Sequence, residues 1–163
     1  MGDHVAIGVE EWRRLHPDLD LAGMEVFGRV YRLARLADLR RTALLEPYGL
    51  QVGDVDVLAA LWRHRDGLRP LELRRAMMIG SGTLTARLDR LEVMDLVVRH
   101  PDPQDRRGRI LRLAPEGERL TPEVVVQLLE IENGLLEPLP PSVQVRLAKD
   151  LQSLLEATEN EST

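Results

Sequence analysis

Apolar residues recur at helical spacing along most of the chain, and the places where they stop mark its turns. Val5, Ile7, Val9, Trp12 and Leu15 predict a short amphipathic helix over 5–16, ended by Pro17 because the residue before a proline avoids helical backbone. From Asp20 to about Leu45, Met24, Phe27, Val30, Tyr31, Ala34, Ala37 and Leu44 keep a helical period until Pro47 and Gly49 interrupt it. Val55, Leu58, Ala59 and Trp62 share one face of a third helix over 52–66, closed by Gly67. Pro70, which needs no N–H at a first helical position, opens a fourth helix over 70–78. A fifth follows over 81–94, with Leu84, Leu88, Leu91 and Met94 in one stripe, and Ile79-Gly80 separates the two. Helix, glycine-containing turn, helix is the helix-turn-helix arrangement.

The period then changes. The segments 96-LVVRH-100 and 110-ILRL-113 flank a proline- and glycine-bearing turn and predict the two strands of a hairpin. Leu120, Val124, Leu128, Ile131 and Leu135 predict a sixth helix from Glu116, broken at 138-PLPPS-142. Val143, Leu147, Leu151 and Leu154 predict a seventh over 143–157. The fold class is therefore mainly α with a small β-hairpin. N-terminal helices occupy 1–49, a winged helix-turn-helix lobe 50–114, C-terminal helices 115–158, and a disordered tail is expected at 159–163.

Charge changes the picture more than composition does. The net charge is −5, but residues 60–112 alone carry 12 arginines against 7 acids, while the segments on either side are acidic. Lys149 is the one lysine. A basic centre between acidic flanks is the footprint of a surface for polyanions, and arginine's planar fork suits phosphates and base edges. With no cysteine, a disulfide framework, cysteine–zinc clusters and thiol sensing are excluded, and a reducing cytoplasm is expected. The apolar runs are too short for a membrane span, and the N-terminus lacks the basic start and apolar block of a signal peptide. His4, His16, His64 and His100 have no metal-ligand spacing, and neither a glycine-rich phosphate loop nor a nucleophile motif occurs. Neither an enzyme nor a cofactor is expected. Two of these histidines have other candidate uses: His100 as a phosphate contact beside the wing, and His16 as a cap of the first helix.

The second helix of a helix-turn-helix unit enters the major groove of double-stranded DNA by its N-terminal part. If the leucine stripe faces inward, Ser81, Gly82, Thr83, Thr85, Ala86 and Arg90 face outward as candidate DNA contacts. At the hairpin tip, Arg106, Arg107 and Arg109 are placed to follow phosphates, with one guanidinium in the minor groove. Asp105, which DNA would repel, is expected to orient a neighbouring arginine. The competing reading is a winged-helix module for protein–protein contacts, without a ligand response.

From about Leu50 to Leu120 the chain resembles the MarR family of winged-helix repressors. The resemblance rests on Asp105-x-Arg107, five residues and then Leu113, following 88-LDRLE-92 and the strand LVVR. It implies a homodimer built from the first and last helices, a pseudo-palindromic operator, and an Asp105 that positions a minor-groove Arg107. Two departures stand out: Asp95 replaces the usual helix-ending glycine, and Leu113-Ala114-Pro115 replaces the usual Leu-Thr. More narrowly, 12-WRRLHPDLDLAGMEVFGRVYRL-33 and 76-AMMIGSGTLTARLDRLE-92 resemble the PecS and urate-responsive branch, which has an added N-terminal helix. That likeness implies a pocket for a small planar anion (urate, a purine or a phenolic acid) made by Trp12, Asp56 and Arg87, with Glu72 and Arg99 as relay. From the residues themselves, Arg87 leans toward the leucine stripe, and Asp56 interrupts an apolar helix where a charge requires a partner. A structural ion pair of Arg87 with Asp56 or Glu72 satisfies the same pattern.

Overall fold

The computed structural model describes residues 2–161, apart from the side chains of Arg106 and Glu161. Helix α1 (His4–Leu15) lies on the long α2 (Ala22–Leu45), and a single 3-10 turn (Glu46–Tyr48) leads to α3 (Val52–Arg63). Then follow α4 (Pro70–Met77), α5 (Ser81–Val93), the antiparallel pair β1 (Val97–Asp102) and β2 (Asp105–Leu113), α6 (Pro115–Leu136) and α7 (Pro141–Glu161). Order and type of element are those the periodicity predicts; the boundaries differ, each for a local reason.

Helix α3 ends at Arg63 rather than at residue 66, because Gly67 at φ +89° turns the chain back beside β2. A Cβ there would lie 2.7 Å from the Leu111 carbonyl oxygen, so only glycine fits. The turn lets Leu68 exchange backbone hydrogen bonds with Leu111 at 3.1 and 2.8 Å, adding a bridge the sequence reading missed. The hairpin strands run further than 96–100 and 110–113, reaching Asp102 and Asp105 at the tip, in the register Val97↔Leu113, Arg99↔Leu111 and Pro101↔Arg109. In the turn between α4 and α5 the left-handed residue is Met78 (φ +50°) and not the glycine. Asp95, in the place of the usual glycine, does adopt the left-handed conformation, at φ +56°. The tail expected to be disordered continues α7 as helix through Glu161; residues 162 and 163 lie outside the described residues.

The core is built around α3. Val55, Val57, Leu58 and Leu61 meet Leu84, Leu88 and Leu91 of α5, Leu96, Val97 and Leu111 of the hairpin, and Leu120, Val124 and Leu128 of α6. Each such side chain contributes about 1.5–3 kcal/mol when fully removed from water. Ala114 gives α6 no side-chain cap, so Pro115 starts it and the Leu96 carbonyl accepts the Ala114 N–H at 3.0 Å. Outside this core the packing is open. Phe27 and Val30 of α2 with Leu151, Leu154 and Leu155 of α7 line an apolar cleft of about 320 Å³, and Phe27, Tyr31, Leu36, Leu39, Val145 and Leu155 are exposed.

Candidate nucleic-acid interface and effector cleft

Ser81, Gly82, Thr83, Thr85 and Ala86 all lie exposed on one side of α5, opposite Leu84, Leu88 and Leu91. The helix begins at Gly80 without a side-chain cap, which leaves the positive end of its dipole open to an anion. The Thr85 hydroxyl donates to the Ser81 carbonyl at 3.0 Å. Arg90 departs from the expectation. Its guanidinium turns back to α3, where Nη2 lies 2.5 Å and Nε 3.2 Å from the two carboxylate oxygens of Asp54, and Nη2 also donates to Gln51 at 3.0 Å. The physical reason is Asp54, which is fully buried and cannot be left without a cation. The pairing raises the Arg90 pKa above its ordinary value.

At the hairpin tip Asp105 acts on Arg107 through the backbone. Its carboxylate accepts the backbone N–H of Arg107 at 2.9 Å and so shapes the turn, and among the described residues it holds no guanidinium. Arg107 and Arg109 are exposed, and neither forms an ion pair among the described residues; Arg109 donates to the neighbouring Gly108 carbonyl at 3.0 Å. The side chain of Arg106 lies outside the described residues. His100 is exposed on β1 beside this tip.

Beneath the tip sits a group that sequence reasoning missed. Arg69, preceding α4, donates from Nε to Asp102 at 2.6 Å and from Nη2 to Gln104 at 3.0 Å, while its backbone N–H donates to Glu72 at 2.7 Å. Asp102 is almost sealed from water, and the Arg69 guanidinium, helped by the Gln104 N–H, holds its carboxyl below the usual carboxylate range. Asp102 likewise raises Arg69. No sequence signal marks Asp102, since its proline-flanked setting reads as a solvated turn. Asp54 could have been found, because Gln51-x-x-Asp54 has the reciprocal spacing of a helix-capping pair.

Of the implied effector residues, two share a cleft. Asp56 of α3 and Arg87 of α5 line a cavity of about 390 Å³ with Arg63, Met77 and Ile79. Arg87 lies flat on Gly53 and donates to its carbonyl at 3.3 Å; a Cβ on Gly53 would fall 2.1 Å from the guanidinium carbon. Asp56 pairs instead with Arg41 of α2 at 3.1 Å. Trp12 does not line this cleft: its ring stacks on His16 with centroids 5.5 Å apart. His16 itself is the C-cap residue of α1. Glu72 and Arg99 do not meet either. Glu72 caps α4, and Arg99 pairs with Asp89 at 2.6 Å and Glu92 at 3.0 Å, fastening β1 to α5. No helix among the described residues is long and apolar enough to cross a membrane.

Comparison with known proteins places this architecture. Residues 48–108 match the MarR family. The chain is 36% identical over 132 residues to the HTH-type transcriptional regulator PecS of Dickeya dadantii (strain 3937), covering 80% of each protein. Its fold is similar to AbsC, a MarR family transcriptional regulator from Streptomyces coelicolor, with a TM-score of 0.77 at 24% identity, covering 87% of this chain and 97% of that one. It is similar too to CouR from Rhodococcus jostii RHA1, solved bound to p-coumaroyl-CoA, with a TM-score of 0.72 at 25% identity over 83% of this chain and 95% of that one. An exposed helix N-terminus beside an arginine-bearing wing, on a chain with this likeness to PecS, has one assignment: the protein belongs to the MarR family of winged helix-turn-helix, DNA-binding transcriptional regulators.

Proposed function

We propose that the protein is a homodimeric repressor of a pseudo-palindromic operator, released by a small planar anion of the urate, purine or phenolic-acid class. The apolar surfaces of α2 and α7 support the dimer, because a lone protomer would leave Phe27, Tyr31, Leu151 and Leu155 in water. Two copies of α5 about 34 Å apart meet successive major grooves, with Ser81, Gly82, Thr83, Thr85 and Ala86 toward the base edges. The tips, carrying Asp105, Arg106, Arg107 and Arg109, flank them over the minor groove.

One observation carries the effector reading: Asp56 and Arg87 face a common cleft, and Arg87 belongs to the helix that reads DNA. An anion held by Arg87, with its N–H groups on Asp56, pulls on α5 directly. It lowers operator affinity only to the extent that it binds the displaced arrangement more tightly. CouR, of the same fold, is solved with p-coumaroyl-CoA bound, which supports a small-molecule response. Within the protomer Trp12 stacks on His16 and does not line this cleft, so the proposal is carried by Asp56 and Arg87.

The test titrates urate and salicylate against the dimer–operator complex for wild type and Arg87→Ala. Release of the wild type at concentrations that leave Arg87→Ala bound supports the cleft; equal release of both defeats it.

A further inference from the structure

Arg41 belongs to neither the DNA surface nor the effector cleft, yet it occupies the joint between them. It sits near the C-terminal end of α2, with a side chain only 18% exposed, and three carboxylates surround it. Nη2 reaches Asp56 of α3 at 3.1 Å, Nη1 approaches Asp38 of its own helix at 3.7 Å, and Nε approaches Glu132 of α6 at 3.9 Å. That Nε is buried with no hydrogen-bond acceptor in reach. Leaving a guanidinium N–H dry costs stability, so the arrangement is held by its surroundings rather than being the best available to Arg41. The arginine lines a cavity of about 120 Å³ between α2, α3 and α6, whose wall includes Asp56 and Ala59. The same two residues line the Arg87 cleft. Asp56 is thus the partition between the cavities, with Arg41 on one side and the proposed effector on the other.

We infer that Arg41 is a positioning residue that transmits effector binding from the DNA lobe to the dimer helices. Among the described residues its pair with Asp56 is the one ion pair joining α2 to α3, and Glu132 extends it to α6. An effector that draws the Asp56 carboxylate toward Arg87 takes it from Arg41. The guanidinium then closes on Glu132, where its unused Nε finds an acceptor, and α3 is released from α2. Binding in one protomer's cleft thereby changes how its lobe is carried on the dimer, which sets the distance between the two recognition helices.

The inference rests on the effector reading above, and its test separates the two. Urate affinity is measured by calorimetry, and operator affinity with and without saturating urate by fluorescence anisotropy, for wild type, R41Q, R41K and R87A. In wild type the operator Kd should rise at least about tenfold with urate, within the usual range for coupled sites. R41Q should bind urate within about threefold of wild type, yet its operator Kd should change by about twofold or less with urate. R41K, which keeps the charge on Asp56 but not the fork to Glu132, should fall between. A purely structural role would alter folding and basal affinity but leave the ratio of the two Kd values intact. A wild-type ratio in R41Q, or an R41K no better coupled than R41Q, overturns the inference. If R41Q does not fold, R41K decides on the same ratio: reduced supports it, unchanged overturns it. Wild type that neither binds urate nor responds to it, or R87A that binds it normally, removes the cleft reading and the inference with it.

Discussion

The Nε of Arg69, itself partly exposed, grips the nearly sealed Asp102 carboxylate at 2.6 Å, which ties the wing to the start of the helix-turn-helix. Because Arg69 also hands its backbone N–H to Glu72 and its second nitrogen to Gln104, α4 and the tip move as one piece. A two-stranded hairpin alone is marginal in water and would not hold a guanidinium at a fixed place over a groove. The buried carboxylate supplies what the strands cannot.

Asp102→Asn preserves the shape of this site and removes its charge. The wing should lose its fixed angle and with it part of its phosphate contact. Operator affinity is expected to fall about tenfold, with a salt dependence shallower by about one phosphate, the signature of a lost backbone contact rather than of general unfolding. Affinity measured at several salt concentrations checks this. The acid side provides a second reading. Asp102 is held below its ordinary carboxylate range, so its contribution to stability is fully present above the unfolded-state pKa of about 4 and is lost as pH falls through the lower folded-state value. Urea midpoints of wild type and Asp102→Asn should therefore differ most near neutrality and converge below about pH 4.

Two arginines of the basic centre should behave in opposite ways. Arg90→Ala strands the fully buried Asp54 and should cost about 2 kcal/mol of stability, less than a fully buried pair because Arg90 keeps a third of its side chain in water. Its effect on the salt slope, measured where the variant is folded, should be nil. Arg107→Ala, whose side chain is exposed and without an ion pair among the described residues, should leave the urea midpoint unchanged and lower the slope by about 1. Midpoints and slopes measured on both variants settle which guanidinium faces DNA.

Packing at the start of α6 makes a third expectation. A Cβ on Gly117 would fall 2.1 Å from the Leu96 carbonyl oxygen, the atom that also accepts the Ala114 N–H. Backbone cannot yield as a side-chain end can, so Gly117→Ala should destabilise by about 2 kcal/mol despite the better helix propensity of alanine. Gly134, in the same helix, has nothing within 4 Å, and Gly134→Ala should be neutral or stabilising by up to about 1 kcal/mol. Thermal melts of the two variants check the contrast.

The elements were legible because each carries apolar residues at its own period, whether or not this protomer buries them: Leu84, Leu88 and Leu91 announce α5 as plainly in the sequence as in the core. Side-chain direction was not. Arg90 and Arg87 stand three apart on one helix, and only Arg87 reads as turned toward the core, while Arg90 looks like a candidate for the groove. What turns Arg90 inward is Asp54 on a different helix, a pairing that period and composition do not encode. Asp105 and Asp102 show the same limit, since three residues apart in one turn they serve the backbone and a buried arginine respectively. Burial of a carboxylate decides which arginines are spent on the fold, and burial belongs to the tertiary structure.

Gly53 offers the sharpest test of the effector cleft, because it alters Arg87 without touching that residue's own chemistry. The guanidinium rests on the bare Cα of Gly53 and donates to its carbonyl. A methyl there overlaps all three terminal atoms of Arg87, but these are the end of a flexible side chain, so the arginine should swing aside at little cost to the fold. Gly53 also lies in the first turn of α3, where alanine is the better helix former by about 1 kcal/mol. Gly53→Ala is thus expected to keep the wild-type melting temperature and operator affinity, while urate loses most of its ability to release the operator. Calorimetry should show urate affinity reduced about tenfold or more, the worth of one charge-assisted contact. A variant that melts normally, binds operator normally and still releases it at the wild-type urate concentration would place the effector somewhere other than against Arg87.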